Sequence, residues 1–262
     1  MKVHHLNCGT MAPVTGRYVA HVLLLETDNG LVLVDSGFGL DDIAAPARLG
    51  PLRHLIRPVL SENETALRQI ERLGFTRADV RHIVTTHLDL DHIGGLSDFP
   101  DAQVHTTSAE ALGATTPRVP HELLRYRRAQ LSYGPKLVEH DAEGEAWRGF
   151  AAAKELDDIA PGVVLISLPG HTRGHACIAV DAGHRWVLHS GDAFLHRAVI
   201  DDHNPVPLVD RMVETALAHN RKQVRANHRL LAELARRGDP DLLIINAHDP
   251  LLFEHARATQ YP

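Results

Sequence analysis

His87-Leu88-Asp89-Leu90-Asp91-His92-Ile93-Gly94-Gly95 places four side chains able to bind a metal within six residues. The stretch follows Ile83-Val84-Thr85-Thr86, an apolar and β-branched run that predicts a buried strand, and the two glycines predict a tight turn into the next element. Histidine and carboxylate crowded onto one strand-to-helix turn suit a two-metal hydrolytic centre, because both ions have to be held a few ångströms apart. The plainer alternative is a polar turn in a chain with 20 histidines, most of them surface or hydrogen-bonded core groups. What decides between them lies downstream.

Three more apolar runs end in the same way. Residues 163–168 run into Pro169-Gly170-His171, residues 186–189 into Ser190-Gly191-Asp192, and residues 242–245 into Asn246-Ala247-His248. A lone histidine at a strand end is usually structural. Four strands in order, each closing in a short turn with His or Asp, predict one sheet edge that supports a common site. Asp35, in the turn Asp35-Ser36-Gly37 after the run 31–34, is a further candidate; it either lies near that site or bonds its own backbone as an Asx-turn.

Around these turns the chain alternates strands and helices. Asn29-Gly30 between two apolar runs predicts a hairpin, since both residues tolerate positive φ. Ser61-x-x-Glu64 reads as a capping box opening a helix with Ala66, Leu67, Ile70 and Leu73 on its buried face and Gly74 at its end. Residues 108–160 read as short helices and loops able to cover a site, with Arg125-Tyr126-Arg127-Arg128 as a solvated helix face. Residues 210–237 carry helix formers up to a stop at Gly238. No linker or low-complexity tract interrupts residues 1–262, so a single domain is expected, with sheets packed together and helices outside.

Composition narrows the function classes. Net charge is −6, with 44% hydrophobic and 23% charged residues, which gives no electrostatic footprint for nucleic acid or an anionic membrane. No run approaches the roughly 20 apolar residues of a membrane span, and Met1-Lys2-Val3-His4-His5 lacks the apolar core of a signal peptide, so a cytoplasmic protein is expected. Two cysteines exclude a disulfide framework or a cysteine-rich zinc knot. The expected partner is a small-molecule substrate.

With these motifs in view the chain resembles the metallo-β-lactamase-fold metallohydrolases, whose pattern is H-x-H-x-D-H, a later His, a bridging Asp and a last His. Pro169-Gly170-His171-Thr172-x-Gly174-His175 and Ser190-Gly191-Asp192 match the second and third motifs, and Ala247-His248-Asp249 with the overall length looks most like the branch holding the N-acyl-homoserine lactonases. The resemblance implies an αββα sandwich of two mixed β-sheets flanked by helices. It also implies a first metal held by His87, Asp89 and His171, a second by Asp91, His92 and His248, and Asp192 bridging both. Two divalent ions follow, zinc first, with manganese or iron admitted by the carboxylate of Asp89.

The chain departs from the pattern twice. Asp89 stands where the family has a second His, and its charge would bring Asp89, Asp91, Asp192 and a bridging hydroxide level with two divalent ions. Leu195 stands where lactonases of this fold often carry Tyr, so a substrate-facing hydroxyl would have to come from Tyr126 or Tyr133. The expected chemistry is hydrolysis of a lactone, or next a thioester, by a hydroxide bridging the two ions, with Asp91 orienting the nucleophile and carrying a proton. A non-haem iron oxidoreductase on the same fold and a degenerate, non-catalytic binding module are the alternatives.

Overall fold

The apolar runs of the first half pair in chain order. In the computed structural model, which describes residues 1–117, 119–201 and 204–260, six strands form one sheet. They are β1 (Lys2–Met11), β2 (Tyr18–Thr27), β3 (Gly30–Val34), β4 (Val80–Val84), β5 (Gln103–Thr107) and β6 (Lys136–His140). The Asn29-Gly30 turn joins β2 and β3 antiparallel, with Thr27 opposite Gly30, and β3 to β6 then run parallel. The second sheet takes β7 (Glu145–Trp147), β8 (Phe150–Glu155), β9 (Val163–Ser167), β10 (Ala176–Asp181), β11 (Trp186–His189) and β12 (Leu242–Ile245). Only its β11–β12 pair is parallel.

The inner strands β2, β3, β9, β10 and β11, and β12 beside them, are apolar at most positions because both faces of each sheet are covered. Alternate residues sort into layers. Leu23, Leu25, Val32, Val34 and Val84 meet Val163, Leu165, Ile178 and Val180 between the sheets. Leu24, Leu33, Ile83 and Val104 pack outward with Leu67 and Ile70 of the Ala66–Arg72 helix, and Val164, Ile166 and Leu188 with Leu231 and Leu234 of the Arg221–Arg237 helix. The result is an αββα sandwich of two mixed sheets, in which each buried Leu, Ile or Val contributes roughly 1.5–3 kcal/mol. Several histidines belong to this framework. His105 bonds His82 at 2.9 Å and His140 at 3.0 Å, and burial, with His82 beside it, pushes its pKa down to about 3.

Four local expectations are corrected. The Ala66–Arg72 helix is capped by Thr65, whose hydroxyl accepts from Arg68 N, while Ser61 precedes a separate 3₁₀ turn that ends at Glu64; Leu73, past the helix end, is 44% exposed. The 108–160 segment contains three strands, β6 to β8, as well as short helices. The 210–237 stretch is two helices, Leu208–Leu217 and Arg221–Arg237, because Asn220 caps the second by accepting from Lys222 N and Gln223 N. Gly94 and Gly95 are needed for close approach, since Gly94 has helical φ: a Cβ there would lie 2.0 Å from Asp42 Oδ2, and one at Gly95 would lie 2.6 Å from the Ser36 carbonyl. No helix among the described residues is long and apolar enough to cross a membrane.

Candidate metal centre

The polar turns that follow β4, β9, β11 and β12 meet at one place. Donor atoms of His87, Asp89 and His171 lie within 4.8 Å of one another, as do those of Asp91, His92 and His248, and an overlapping group joins His87 and His92 to Asp192. Asp192 stands between the two sides. Its Oδ1 is 3.0 Å from His248 Nε2 and 3.4 Å from His92 Nε2, while Oδ2 is 3.4 Å from His171 Nε2 and 3.9 Å from His87 Nε2. Asp89 Oδ2 is 3.1 Å from His171 Nε2 and 3.3 Å from His87 Nε2, and Asp91 Oδ2 is 3.5 Å from His248 Nε2. All seven residues are thus brought together.

The groups behind them aim the rings, as outer partners of metal ligands do. His248 Nδ1 donates to the Val19 carbonyl at 2.8 Å, and His92 Nδ1 to Asp35 Oδ2 at 2.8 Å. Asp35 also accepts from Thr86 N at 2.7 Å and Thr86 Oγ1 at 2.8 Å, so its carboxylate serves the site's scaffold and not an Asx-turn. It does so from a left-handed backbone, φ 60°, which is costly for a non-glycine residue. Two holders escaped the sequence reading. Buried Glu110 accepts from Leu88 N at 2.9 Å, Thr172 Oγ1 at 2.6 Å and Gly174 N at 3.0 Å, tying the turn after β4 to the turn after β9. His175 Nε2 accepts from Asp192 N at 3.0 Å. Glu110 announces itself only as an acid between alanines, whereas His175 sits inside a quoted motif.

The electrostatics call for a cation. Burial alone would lower His92 and His248, yet Asp192 with Asp35 and Asp91 lifts His92 well above the usual imidazole range, and Asp192 lifts His248 to about 9. His87 Nε2, His92 Nε2, Asp89 Oδ1 and Asp192 Oδ1 are buried without a hydrogen-bond partner. Unpaired nitrogen and carboxylate oxygen atoms pointing into one cluster are the donors a divalent ion takes, and they fit one here.

The expected solvated basic face is partly internal. Arg125 and Tyr126 are each 6% exposed. Arg125 Nη1 donates to Asp89 Oδ2 at 2.8 Å and Nη2 to the Leu217 carbonyl. Burial would raise the Asp89 carboxyl, but Arg125 and His87 hold it well below the usual carboxylate range. Tyr126 and Tyr133 pack into the outer core of the first sheet and do not line the site's cavity.

That cavity, about 320 Å³, opens onto Asp89, Asp91, Asp192 and His248 between walls that include Met11, Ile56, Leu90, Leu195 and Leu217. The Leu208–Leu217 helix contributes to it inside out. Its acids point inward, Asp210 accepting from Tyr18 Oη at 2.6 Å and Glu214 from Leu195 N at 3.2 Å, while Val213, Ala216 and Leu217 line the cavity and Leu208 and Met212 lie exposed.

Comparison with known proteins shows the family and the fold. The model of the metallo-beta-lactamase superfamily matches residues 15–248. A probable metallo-hydrolase of Mycobacterium tuberculosis is 59% identical over 259 residues, covering 99% of this chain and 84% of its own. An N-acyl homoserine lactonase of Agrobacterium fabrum is 27% identical over 183 residues, 68% of this chain and 66% of its own. Among solved structures, an N-acyl homoserine lactone hydrolase with N-hexanoyl-L-homoserine bound at its catalytic metal centre superposes with a TM-score of 0.73 at 18% identity, covering 97% of this chain and 95% of that one.

Proposed function

Because this chain belongs to the metallo-beta-lactamase superfamily, we propose that it is a metal-dependent hydrolase opening a small ester-like substrate with an apolar arm, a lactone first and a thioester next. One observation carries this reading: a buried cluster of unpaired metal donors at the floor of an apolar cavity. His87, Asp89 and His171 would hold one divalent ion and Asp91, His92 and His248 another, with Asp192 serving both. Zinc suits these donors, and the carboxylate of Asp89 admits manganese or iron. Ions bound there supply Lewis acidity and bring the pKa of water towards neutral.

The chain's own residues do the rest. Asp91 faces the cavity and would hold the proton released by the attacking water, then return it to the departing oxygen or sulfur. Leu195 offers no hydroxyl, Tyr18 Oη is committed to Asp210, and Arg125 is committed to Asp89 and the Leu217 carbonyl, so none of the three is free to donate to a developing oxyanion. The apolar walls exclude water around it and receive the substrate's arm. The lactonases among the relatives support the lactone as the first choice.

The test is to strip the protein with a chelator, reload it with zinc, manganese or iron, and assay N-acyl lactones of increasing chain length beside aryl esters and thioesters. Turnover that requires metal and improves with acyl length is expected. Two bound ions with no hydrolysis of any of these would sink the reading, and bound iron with a redox-active optical spectrum would favour the oxidoreductase instead.

A further inference from the structure

Asp89 and Arg125 form an ion pair in the wall of the centre, their side chains 15% and 7% exposed. The shared atom is the informative one: Asp89 Oδ2 accepts from Arg125 at 2.8 Å and is also the oxygen that faces His171 Nε2 at 3.1 Å and His87 Nε2 at 3.3 Å. Asp89 Oδ1 has no partner. The arginine does not depend on Asp89 for its place, because Nη2 donates to the Leu217 carbonyl across the cavity wall. Only a planar fork spans both acceptors at once.

Resting on the metal-hydrolase reading above, we propose that Arg125 is a positioning residue that fixes Asp89 as the third donor beside His87 and His171 and cancels its charge. The pair then presents an ion with the net charge of a neutral ligand, on a side of the cluster where Asp89 alone would add to the charge of Asp91 and Asp192. Neither member is replaceable singly. Asp89→His leaves a buried guanidinium beside the place where a cation must bind, and Arg125→Met leaves a buried carboxylate uncompensated; both are costly. Changing the two together removes both faults. The tightening of zinc that Asp89→His alone would bring in a centre without this arginine is therefore reversed.

The test is a double-mutant cycle on the full chain: wild type, Asp89→His, Arg125→Met, both together, and Arg125→Lys. Zinc stoichiometry and affinity are read by competition with a chromophoric chelator, and the melting temperature is read on metal-free protein. Asp89→His is expected to weaken one of the two ions about tenfold or more, the scale on which such partners act, and the double variant to regain most of that loss. Each single variant should melt below wild type without metal and the double variant should recover. Arg125→Lys, which keeps the charge but cannot span both acceptors, should bind zinc more tightly than Arg125→Met and less tightly than wild type. Asp89→His binding zinc as tightly as the double variant, or single effects that simply add, overturns the pairing while leaving the hydrolase reading in place. A wild type that binds no ion overturns both.

Discussion

His92 and His248, on one side of Asp192, are steered by Asp35 and by the Val19 carbonyl, groups supplied by the strands and strand-end turns of the first sheet. On the other side, His87 reaches Asp35 only through Thr86 Oγ1, while Asp89 and the turns that carry His87 and His171 depend on Arg125 and Glu110, which come from the short helices Pro120–Arg125 and Ser108–Thr115. One half of the cluster is therefore anchored in the sandwich, and the other is anchored in the segment that covers it. The difference locates adaptability. Substitutions in the covering segment can retune the first half while the second half, held by strand ends, stays in place.

The largest break in this comparison comes from the residue both halves share. Asp192→Ala should abolish metal-dependent turnover and lose at least one ion per chain, measured by elemental analysis beside the activity assay. Two retained ions with full turnover would make Asp192 an ordinary turn residue. Next in size is Asp35→Asn. An amide cannot accept from Thr86 N, Thr86 Oγ1 and His92 Nδ1 together without turning its own N–H₂ towards a donor, so the second half should lose roughly 10–100-fold in metal affinity. The first half, which Asp35 reaches only through Thr86 Oγ1 and His87 Nδ1, should lose clearly less. Glu110→Gln should act more weakly and differently. Its amide meets donors at Leu88, Thr172 and Gly174, so stability should fall by about 1–3 kcal/mol in urea unfolding, with metal loss confined to the first half. If the two variants lose the same ion, the division into independently held halves is wrong.

The same division explains what was legible in the sequence. Sheet-forming runs covered on both faces are largely apolar, and their ends are marked by Pro, Gly and the donors themselves, so packed sheets and a shared strand-end site could be read in order, while the sandwich and the full set of seven residues came from the family resemblance those motifs carry. The holders could not. Glu110 and Arg125 act on partners at sequence distances of 22 and 36 residues, and nothing local separates a buried acid or arginine from an exposed one. Arg125 shows the cost: grouped with Tyr126, Arg127 and Arg128 it read as surface, and the charge count around Asp89 omitted the cation that balances it. Tyr126 and Tyr133 failed for a related reason, since an aromatic residue in a covering segment has a core to enter as well as a site. The Leu208–Leu217 helix shows that apolar periodicity gives a face without saying what that face meets.

The smallest effect on turnover is expected at Asp98, which supports the second half from behind. Both its carboxylate oxygens accept from Leu40 N, at 3.2 and 3.3 Å, fastening the loop that begins at Asp35 to the turn beyond His92. Burial, with Asp41 nearby and only partly offset by the Leu40 bond, pushes its pKa from 3.8 up to about 6. Between those values the folded chain keeps a proton that the unfolded chain has released. Asp98 thus contributes fully below the lower value, and its contribution is lost as pH rises through the upper one, by at most about 3 kcal/mol for a shift of roughly two units. Asp98→Asn keeps an acceptor for Leu40 N and has no charge to bury. It should raise stability in urea unfolding by about 1–3 kcal/mol near pH 8, by clearly less near pH 5, and leave turnover of the metal-loaded protein unchanged. An equal gain at both pH values would assign the effect to packing, and a loss of turnover would show that the Asp35 loop senses this carboxylate more directly than its hydrogen bonds imply.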